Sequence, residues 1–399
     1  MEVINRVQML DLIPIQGKEC VEVGVYKGDF SAEILKRNPK SLHLIDPWVN
    51  YPEMPKVSDE DFEGIYQGVI ERFRSAKNVI IHRSPSIHVA ADCPEDRVDF
   101  VYIDGHHDYE PCLRDMRAWY PKIRDGGWLC GHDYNFPGGA TKAAVTQFCR
   151  EAGVDLEFVT TSERYSNSWG LRRKKRMVSI IMTCKGRRHH LEQSLKYVLR
   201  QAYKPLEVAV VNYDSDPIDN LSECLSEMND SRIVHIRTGP REEFSRSKAK
   251  NIGIRASSGD ILVFVDADVI ITHEHFINDV EKLMMPGRFL KFGGGLTACL
   301  KSEVEEISGF NEAMSGWGEE DRDLNRRLRK NGSEQISYKH LHHKYIAHTD
   351  AERMTFHNNK DSHETGSLNI AISKKMIDER GPRIQDEWGT EEYEVIRYG

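Results

Sequence analysis

The chain has 399 residues, of which 39% are hydrophobic and 30% charged, and its formal net charge is −8. This length exceeds one ordinary hydrophobic core and predicts two domains of roughly 150–230 residues. The apolar content excludes a largely disordered chain, and the acidic balance gives no general attraction to nucleic acid or anionic lipid.

The first predicted domain, residues 1–172, alternates short apolar runs with helix-like segments. Helices are predicted at Ser31–Asn38 and Pro111–Ile123, and Phe158–Thr160 and Ser168–Leu171 are candidate closing strands. The alternation predicts an α/β domain with a parallel sheet covered by helices. The buried strands of that sheet are predicted at Cys20–Val25, Ser41–Ile45, Asn78–His82, Val98–Ile103 and Gly127–Gly131.

A basic run, Arg172-Arg173-Lys174-Lys175-Arg176, follows this domain. Such a run can act as a nuclear-localisation signal or bind nucleic acid. A strand-like segment begins immediately afterwards at Val178, so we interpret residues 173–177 as an exposed basic linker between domains.

The second predicted domain spans residues 178–399, and it repeats the alternation without repeating the sequence. Helices are predicted at Arg188–Gln201 and Ser245–Ala256. Residues 350–399 form a polar, weakly periodic C-terminal extension for which the sequence predicts little. The strands of this second α/β domain are predicted at Val178–Met182, Glu207–Asn212, Arg232–Ile236 and Ile261–Val265.

Targeting signals are not apparent in the sequence. The first twenty residues lack a basic region followed by a long apolar run, and the apolar runs elsewhere have the length of strands. The eight cysteines form no CxxC pairs, which fits reduced thiols better than a disulfide framework or a zinc site. We therefore expect a cytoplasmic protein without a transmembrane segment.

A glycine-rich turn follows the first predicted strand, in the sequence Glu22-Val23-Gly24-Val25-Tyr26-Lys27-Gly28. Glycines let the backbone turn tightly and let a ligand approach closely. Asp46 ends the next predicted strand, about twenty residues further on, where a carboxylate can accept hydrogen bonds from ribose hydroxyls. Glycines that serve packing alone are an equally good explanation of the turn by itself.

Polar side chains follow two further predicted strands. Asp104, His106 and His107 come after Val98–Ile103, and His132 and Asp133 come after Gly127–Gly131. Ligands of open α/β sheets bind at the carboxyl ends of strands, and Asp104, His132 and Asp133 could surround one divalent ion there. Ordinary loop hydrogen bonds are the alternative for any single histidine.

These motifs together resemble class I S-adenosylmethionine-dependent methyltransferases, most closely the branch that includes sugar O-methyltransferases. The resemblance covers residues 1–172 and implies a Rossmann-like fold. It is carried by three motifs in order, Glu22-Val23-Gly24, Ile103-Asp104-Gly105-His106-His107 and Gly126-Gly127…Gly131-His132-Asp133-Tyr134.

The resemblance implies roles for individual residues in binding S-adenosylmethionine. Glu22, Gly24 and Gly28 would line the methionine and ribose part of the cofactor. Asp46 would hold the ribose hydroxyls, and Ser86 would lie near the adenine.

The same resemblance implies a metal-assisted methyl transfer. Asp104, at the edge of the cofactor pocket, would bind magnesium together with Asp133 and His132, where the related enzymes usually show two aspartates. The ion would hold two sugar oxygens and lower the pKa of the hydroxyl to be methylated. His106 or His107 would take its proton, because imidazole titrates near neutral pH.

An acidic pair ends a strand in the second domain, where Ile261–Val265 runs into Asp266-Ala267-Asp268. Two carboxylates at this spacing can hold a divalent ion that bridges the diphosphate of a nucleotide sugar and neutralises the leaving group. A bare Asp-x-Asp also occurs by chance as the cap of a turn.

Two further segments flank this acidic pair. Upstream, Arg246 and Lys250 share a face of a predicted helix and could reach an anionic ligand, or they could simply form a solvated face. Downstream, Trp317 lies between two glycines and precedes Glu320 and Asp321. An aromatic ring can stack on a sugar and a carboxylate can remove a proton, although acids also suit the first turn of a helix.

These motifs, with the histidine-rich run 340–343, resemble glycosyltransferases of the GT-A fold, family 2. The carboxyl half looks like β-1,4-galactosyltransferases and chondroitin-type polymerases. The resemblance covers about residues 177–350 and implies a Rossmann-like fold with a mixed sheet. It also implies an inverting mechanism with Asp321 as the base.

By this resemblance, Asp266 and Asp268 would hold manganese or magnesium, with His343 or His340 as the third ligand. Trp317 and Glu320 would shape the acceptor and donor pocket, with Lys250 next to the nucleotide sugar. Asn212 stands where the family usually has an aspartate that reads uracil, so the donor is either UDP- or GDP-linked. The residues that would contact the nucleotide are Thr183, Arg187, Asn212 and Arg246.

The sequence therefore predicts a bifunctional glycan-modifying enzyme. One domain would transfer a sugar from a nucleotide sugar to a glycan or lipid-linked acceptor, and the other would methylate a sugar hydroxyl with S-adenosylmethionine. Two alternatives stay open: a glycosyltransferase with a non-catalytic scaffold in residues 1–172, or a methyltransferase with a non-catalytic glycan-binding module in the carboxyl half. Nucleic acid is not an expected partner, because no basic groove with interleaved aromatic residues is visible.

Overall fold

The computed structural model describes residues 4–49, 61–162, 166–293, 295–338, 343–358 and 361–398. By its internal contacts the chain divides into two compact units, residues 1–174 and residues 175–399. None of the helices formed by the described residues is both long enough and apolar enough to cross a membrane.

The first unit is an α/β sandwich around a sheet of strand order β3-β2-β1-β4-β5-β7-β6. The strands β1 to β5 are parallel, and β7 and β6 are antiparallel additions. Its elements are α1 (Arg6–Leu12), β1 (Glu19–Val23), α2 (Asp29–Leu35), β2 (Ser41–Ile45), α3 (Phe62–Phe73), β3 (Val79–His82), α4 (Ser86–Asp92), β4 (Val98–Ile103), α5 (Tyr109–Trp119), β5 (Ile123–Gly131), α6 (Ala140–Ala152), β6 (Phe158–Val159) and β7 (Trp169–Arg172).

The central strands β1 and β4 are buried at almost every position because both faces of the sheet are covered there. Cys20 of β1 packs with Phe30 of α2 on one face, whereas Val21 packs with Met116 of α5 on the other. The predicted parallel sheet covered by helices is confirmed. Parallel strands place their carboxyl ends at one edge, and that edge carries the polar side chains considered below.

The second unit is built on a mixed sheet of strand order β15-β13-β14-β11-β8-β9-β10-β17, with a small second sheet of β12 and β16. Its elements are β8 (Val178–Cys184), α7 (Arg188–Val198), β9 (Leu206–Asn212), α8 (Asp216–Asp219), α9 (Leu221–Met228), β10 (Ile233–Thr238), α10 (Arg246–Ala256), β11 (Ile261–Val265), β12 (Val269–Ile271), α11 (Phe276–Leu283), β13 (Arg288–Gly293), β14 (Leu296–Leu300), α12 (Lys301–Glu306), α13 (Glu320–Lys330), β15 (Glu334–Ser337), β16 (His343–Tyr345), α14 (Asp350–Met354), α15 (Ser362–Arg380) and β17 (Tyr393–Arg397).

The central strands β10, β9, β8 and β11 are parallel, and β14 pairs antiparallel with β11. Ile180 of β8 packs with Leu195 of α7 on one face, and Ile181 packs with Ile252 of α10 on the other. The predicted mixed sheet is confirmed. The carboxyl ends of β8 and β11 therefore lie at the same edge of the sheet.

Two sequence expectations differ from the structure. Arg173, assigned to an exposed linker, is buried, and its backbone pairs with Gly126 and Gly127 beyond the end of β7. The C-terminal extension, for which little was predicted, contains the long helix α15 and the strand β17. The latter pairs antiparallel with β10 and completes the sheet at that edge.

Candidate functional sites

The glycine-rich turn between β1 and α2 lies against the end of β4. Gly24 has a φ of +85°, and a Cβ atom at this position would collide with the carbonyl group of Asp104. Gly28, with a φ of +78°, precedes the first residue of α2, and a Cβ there would meet the ring of Phe73. A side chain at either position would collide with its neighbour and would strain the backbone, so both positions favour glycine.

Glu22 is a buried carboxyl group at this turn. Its side chain accepts a hydrogen bond from the hydroxyl of Ser31, the helical residue that follows the turn. Burial raises the pKa of Glu22 to about 8, although the Ser31 hydrogen bond opposes the shift. Glu22 is therefore largely protonated at neutral pH in the absence of ligand.

Asp46, at the end of β2, fixes the shape of the turn. One carboxylate oxygen accepts hydrogen bonds from the backbone N–H groups of Val25 and Tyr26, at 3.0 Å each, and the other accepts from Trp48 at 2.7 Å. The side chain is half-buried at the same strand edge as Glu22. It holds the loops around the predicted cofactor pocket in place.

Ser86 begins α4, and its hydroxyl accepts a hydrogen bond from the indole N–H of Trp119 at 2.7 Å. It also contacts the buried carboxyl of Asp115, whose pKa burial raises to about 6. Asp115 was not among the residues predicted from the sequence. Its position on α5, between the apolar residues Cys112 and Met116 at helical spacing, was the available signal.

Asp104, His132 and Asp133 converge at the ends of the adjacent strands β4 and β5. Their ligand atoms lie within 4.8 Å of one another. The imidazole Nδ1 of His132 is 3.3 Å from Asp104 Oδ1 and 3.4 Å from Asp133 Oδ1. Two carboxylates and one imidazole suit a divalent transition ion such as Mn²⁺, while Mg²⁺ favours oxygen ligands alone. Arg6 of α1 also contacts Asp104, at 3.2 Å.

The two candidate bases differ in their surroundings. His107 Nδ1 lies 3.0 Å from Asp133 Oδ2, so this histidine belongs to the cluster. Burial alone would lower the pKa of His107, but the hydrogen bond and charge of Asp133 raise it above its ordinary value. His106 instead accepts a hydrogen bond from the backbone of Asp108 at 3.3 Å. The geometry thus associates His107, rather than His106, with the polar cluster.

In the second unit, a cavity of about 540 Å³ opens at the carboxyl ends of β8 and β11. The start of α13 forms another part of its wall. Eight of the residues identified from the sequence line it: Thr183, Arg187, Arg246, Asp266, Asp268, Trp317, Glu320 and Asp321.

Asp268 contacts an imidazole that the sequence analysis missed. His348 Nε2 lies 2.6 Å from Asp268 Oδ2, and Arg187 lies 3.9 Å from the same oxygen. The predicted third ligand, His343, instead has its ring 3.2 Å from the hydroxyl of Tyr345, and His340 lies outside the described residues. His348 reaches Asp268 because β16 pairs with β12, the strand that directly follows the acidic pair.

A buried network of opposite charges fills the floor of the cavity. Arg246 lies 2.8 Å from Asp266 and 2.6 Å from Glu320, whereas Lys250, one turn further along α10, lies 2.7 Å from Asp321. Burial would raise the pKa of Asp321, but the charges of Lys250 and Arg246 hold it below its ordinary value. Asp321 is therefore ionised, and the two cations of α10 are paired with three carboxylates, Asp266, Glu320 and Asp321.

Asn212 is not at the cavity surface. Its side chain is fully buried, and its amide donates to Asp216 at 2.8 Å and to Ser222 at 3.2 Å. Its carbonyl oxygen accepts the backbone N–H of Ser215 at 2.9 Å. The predicted contact with a nucleotide is therefore not supported, because the polar atoms of Asn212 are already bonded within the protein.

Comparison with known proteins agrees with the division of the chain into two units. Residues 21–134 match a family model described as "Methyltransferase domain". Residues 179–288 match "Glycosyl transferase family 2", and residues 274–352 match "N-terminal domain of galactosyltransferase". The chain thus carries a methyltransferase domain followed by a glycosyltransferase domain, as the sequence motifs predicted.

Individual relatives are distant. β-1,4-Galactosyltransferase 4 of Mus musculus is 30% identical over 111 residues, which are 24% of this chain and 32% of that protein, so the chain spans about a third of its length. The mannosyltransferase PcManGT from Pyrobaculum calidifontis, solved with GDP-Man and Mn²⁺, is 20% identical with a TM-score of 0.37, over 41% of this chain and 55% of that one. An S-adenosylmethionine-dependent methyltransferase from Mesorhizobium loti is 12% identical with a TM-score of 0.31, over 42% and 96%.

Proposed function

We propose that this chain, with its methyltransferase and glycosyltransferase domains, is a bifunctional enzyme that modifies glycans. One reaction transfers a sugar from a nucleotide sugar to a glycan acceptor, and the other methylates a sugar hydroxyl with S-adenosylmethionine. The observation that carries the proposal is the cavity of the second unit, which combines the Asp268–His348 pair, the cation Arg246 and the ionised Asp321.

The donor side of this cavity suits a nucleoside diphosphate. Arg187 and Arg246 provide positive charge for the phosphates, and guanidinium groups bind phosphate oxygens with two parallel hydrogen bonds. The carboxylate of Asp268 and the imidazole of His348 are both ligands that Mn²⁺ accepts. A divalent ion held there would neutralise the charge of the leaving diphosphate.

The acceptor side is defined by Asp321. Because this carboxylate is ionised, it can accept the proton of an acceptor hydroxyl placed within hydrogen-bond distance. The hydroxyl oxygen would then form a bond to the anomeric carbon as the bond from that carbon to the diphosphate breaks on the opposite side. Attack in line with departure inverts the configuration of the transferred sugar.

The methyltransferase site would act on a sugar hydroxyl. S-adenosylmethionine supplies a methyl group on a positively charged sulfur, and Glu22 and the turn at Gly24 would bind its methionine part. His107 would remove the proton of the hydroxyl, while Asp133 orients the ring and stabilises the imidazolium that forms. The hydroxyl oxygen would bond to the methyl carbon as the bond from that carbon to the sulfur breaks, and S-adenosylhomocysteine would leave.

Calorimetry tests both halves of the proposal on the full chain. S-adenosylhomocysteine would be titrated into the protein, and then UDP and GDP in the presence of Mn²⁺. We expect two independent sites, with Asp46→Asn weakening only the first ligand and Asp268→Ala weakening only the nucleotide. Absence of S-adenosylhomocysteine binding would rule out the proposed methyl transfer, and absence of nucleotide binding would rule out the proposed glycosyl transfer.

A further inference from the structure

The helix α15 lies beyond the region matched by any of the family models, which end at residue 352, yet it contributes to the cavity wall. It begins after Asp361, whose carboxylate accepts the backbone N–H groups of His363 and Glu364. Gly366 of this helix lines the same cavity as Trp317 and Asp321. The C-terminal extension therefore takes part in building the glycosyltransferase site.

Two buried side chains of α15 hold the loop that carries Trp317. The hydroxyl of Thr365 donates to the carbonyl of Trp317 at 3.0 Å. The amide of Asn369, one helical turn further on, donates to the carbonyls of Ser315 at 2.9 Å and Gly318 at 3.0 Å. Thr365 and Asn369 are spaced to lie on one face of the helix, so α15 fixes the backbone on both sides of the tryptophan.

This loop leads directly into α13, whose second residue is Asp321. An acceptor hydroxyl must lie next to that carboxylate to lose its proton, whereas the diphosphate lies at Asp268 and Arg246. The side of the cavity bounded by Trp317, Asp321 and α15 is therefore the side from which an acceptor enters.

Gly366 is unusual in this wall because no close contact with the described residues requires a glycine there. A Cβ atom on Gly366 would meet no atom within 4 Å, in contrast to Gly316 of the loop, where it would strike Thr365. Glycine inside a helix lowers the folding equilibrium about fivefold relative to alanine. Gly366 is thus unfavourable for the helix and is not required by packing. The space that it leaves open in the cavity wall explains its presence.

We propose that α15 is the acceptor-side wall of the glycosyltransferase cavity and that Gly366 leaves the space for a sugar ring of the acceptor beside Trp317. This inference rests on the proposed glycosyl transfer and names the part of the site that selects the acceptor. A side chain at position 366 narrows the acceptor space without touching the groups that hold the nucleotide.

Two substitutions separate this role from a structural one. Gly366→Ala removes the helix penalty, so we expect the melting temperature to rise by about 2–4 °C. Gly366→Leu fills the proposed space, so transfer to acceptor should fall at least tenfold while UDP and GDP affinity stays within twofold. Gly68→Ala is the matched control, since Gly68 lies within α3 of the first unit and its Cβ would also meet nothing within 4 Å.

The assay measures transfer from UDP- and GDP-sugars to p-nitrophenyl glycosides of glucose, galactose, N-acetylglucosamine and xylose, and in parallel the hydrolysis of the donor by water. Loss of transfer in Gly366→Leu with hydrolysis retained supports the proposal. Equal loss of both in the folded variant, a lower melting temperature for Gly366→Ala, or hydrolysis by the wild type without transfer to any of these glycosides would overturn it. Failure of the wild type to bind UDP or GDP at all would instead remove the proposed function.

Discussion

Each of the two candidate sites contains a carboxyl group shielded from water, buried in Glu22 and half-buried in Asp321, and the two groups have opposite protonation states. Glu22 in the first unit has the hydroxyl of Ser31 as its hydrogen-bond partner, and burial raises its pKa to about 8. Asp321 in the second unit lies 2.7 Å from the ammonium of Lys250, and its pKa falls below the ordinary value. Burial alone therefore does not decide whether a carboxyl group can serve as a base, and the partner does.

This difference matches the chemistry proposed for each site. A glycosyl transfer needs an ionised carboxylate to take a proton, and the cations of α10 keep Asp321 in that form. The methyl transfer would use an imidazole, His107, as the base, so Glu22 is free to stay neutral until a cationic ligand enters.

The largest effect is expected for Asp321→Asn. The amide keeps the size of the side chain but cannot accept the proton of the acceptor hydroxyl, so transfer should fall about 10²–10⁴-fold. Nucleotide affinity measured by calorimetry should change little, because the proposed position of the diphosphate is at Asp268 and Arg246. A variant that keeps more than a tenth of the wild-type transfer rate would show that another group is the base.

A smaller effect is expected when the partner of this base is replaced. Lys250→Met leaves Asp321 buried with one cation fewer, so its pKa should rise and the carboxylate should become protonated at low pH. The acidic limb of the pH–rate profile should then shift to higher pH, and Lys250→Arg should restore most of the wild-type profile. An unchanged acidic limb in Lys250→Met would show that Lys250 does not lower the pKa of the base.

Next in size is the effect of the histidine at Asp268. His348→Ala should weaken the binding of UDP or GDP in the presence of Mn²⁺ by about 10–100-fold, with little change in its absence. His343→Ala serves as the matched control, since that ring contacts Tyr345 instead. If His343→Ala lost Mn²⁺-dependent affinity and His348→Ala did not, the ligand assignment derived from the sequence would be the correct one.

The contact between His348 and Asp268 shows which parts of the site could be predicted from the sequence and which could not. Asp266 and Asp104 were recognised because each directly follows an apolar strand, and Asp268 because it lies two residues after Asp266, which are local signals. His348 reaches Asp268 through the pairing of β12 with β16, two strands about 70 residues apart in the chain. Long-range pairing of this kind leaves no local pattern in the sequence. The third metal ligand was therefore predicted from the histidine-rich run 340–343, which is visible in the sequence.

The C-terminal helix was missed for a different reason. The buried positions of α15 recur every four residues, as a helix requires, but three of the four are polar. A search for apolar periodicity therefore finds no helix there. Those polar side chains can be buried because they form hydrogen bonds with other segments, such as the loop that carries Trp317. The buried face of α15 consists of Thr365, Asn369, Ser373 and Ile377.

The last prediction concerns stability and the other carboxyl group. In the folded protein Glu22 keeps its proton up to a pH of about 8, whereas in the unfolded chain it loses the proton near its ordinary pKa of 4.5. Between these values the unfolded state binds fewer protons, so the free energy of unfolding of the wild type decreases as the pH rises. Glu22→Gln carries no proton to lose and can still accept the Ser31 hydrogen bond. We expect it to be more stable than the wild type by about 1–3 kcal/mol at pH 8, measured by urea denaturation, with the difference vanishing near pH 4.5. A difference in stability between variant and wild type that does not change from pH 4.5 to pH 8 would show that the pKa of Glu22 is not raised in the folded protein.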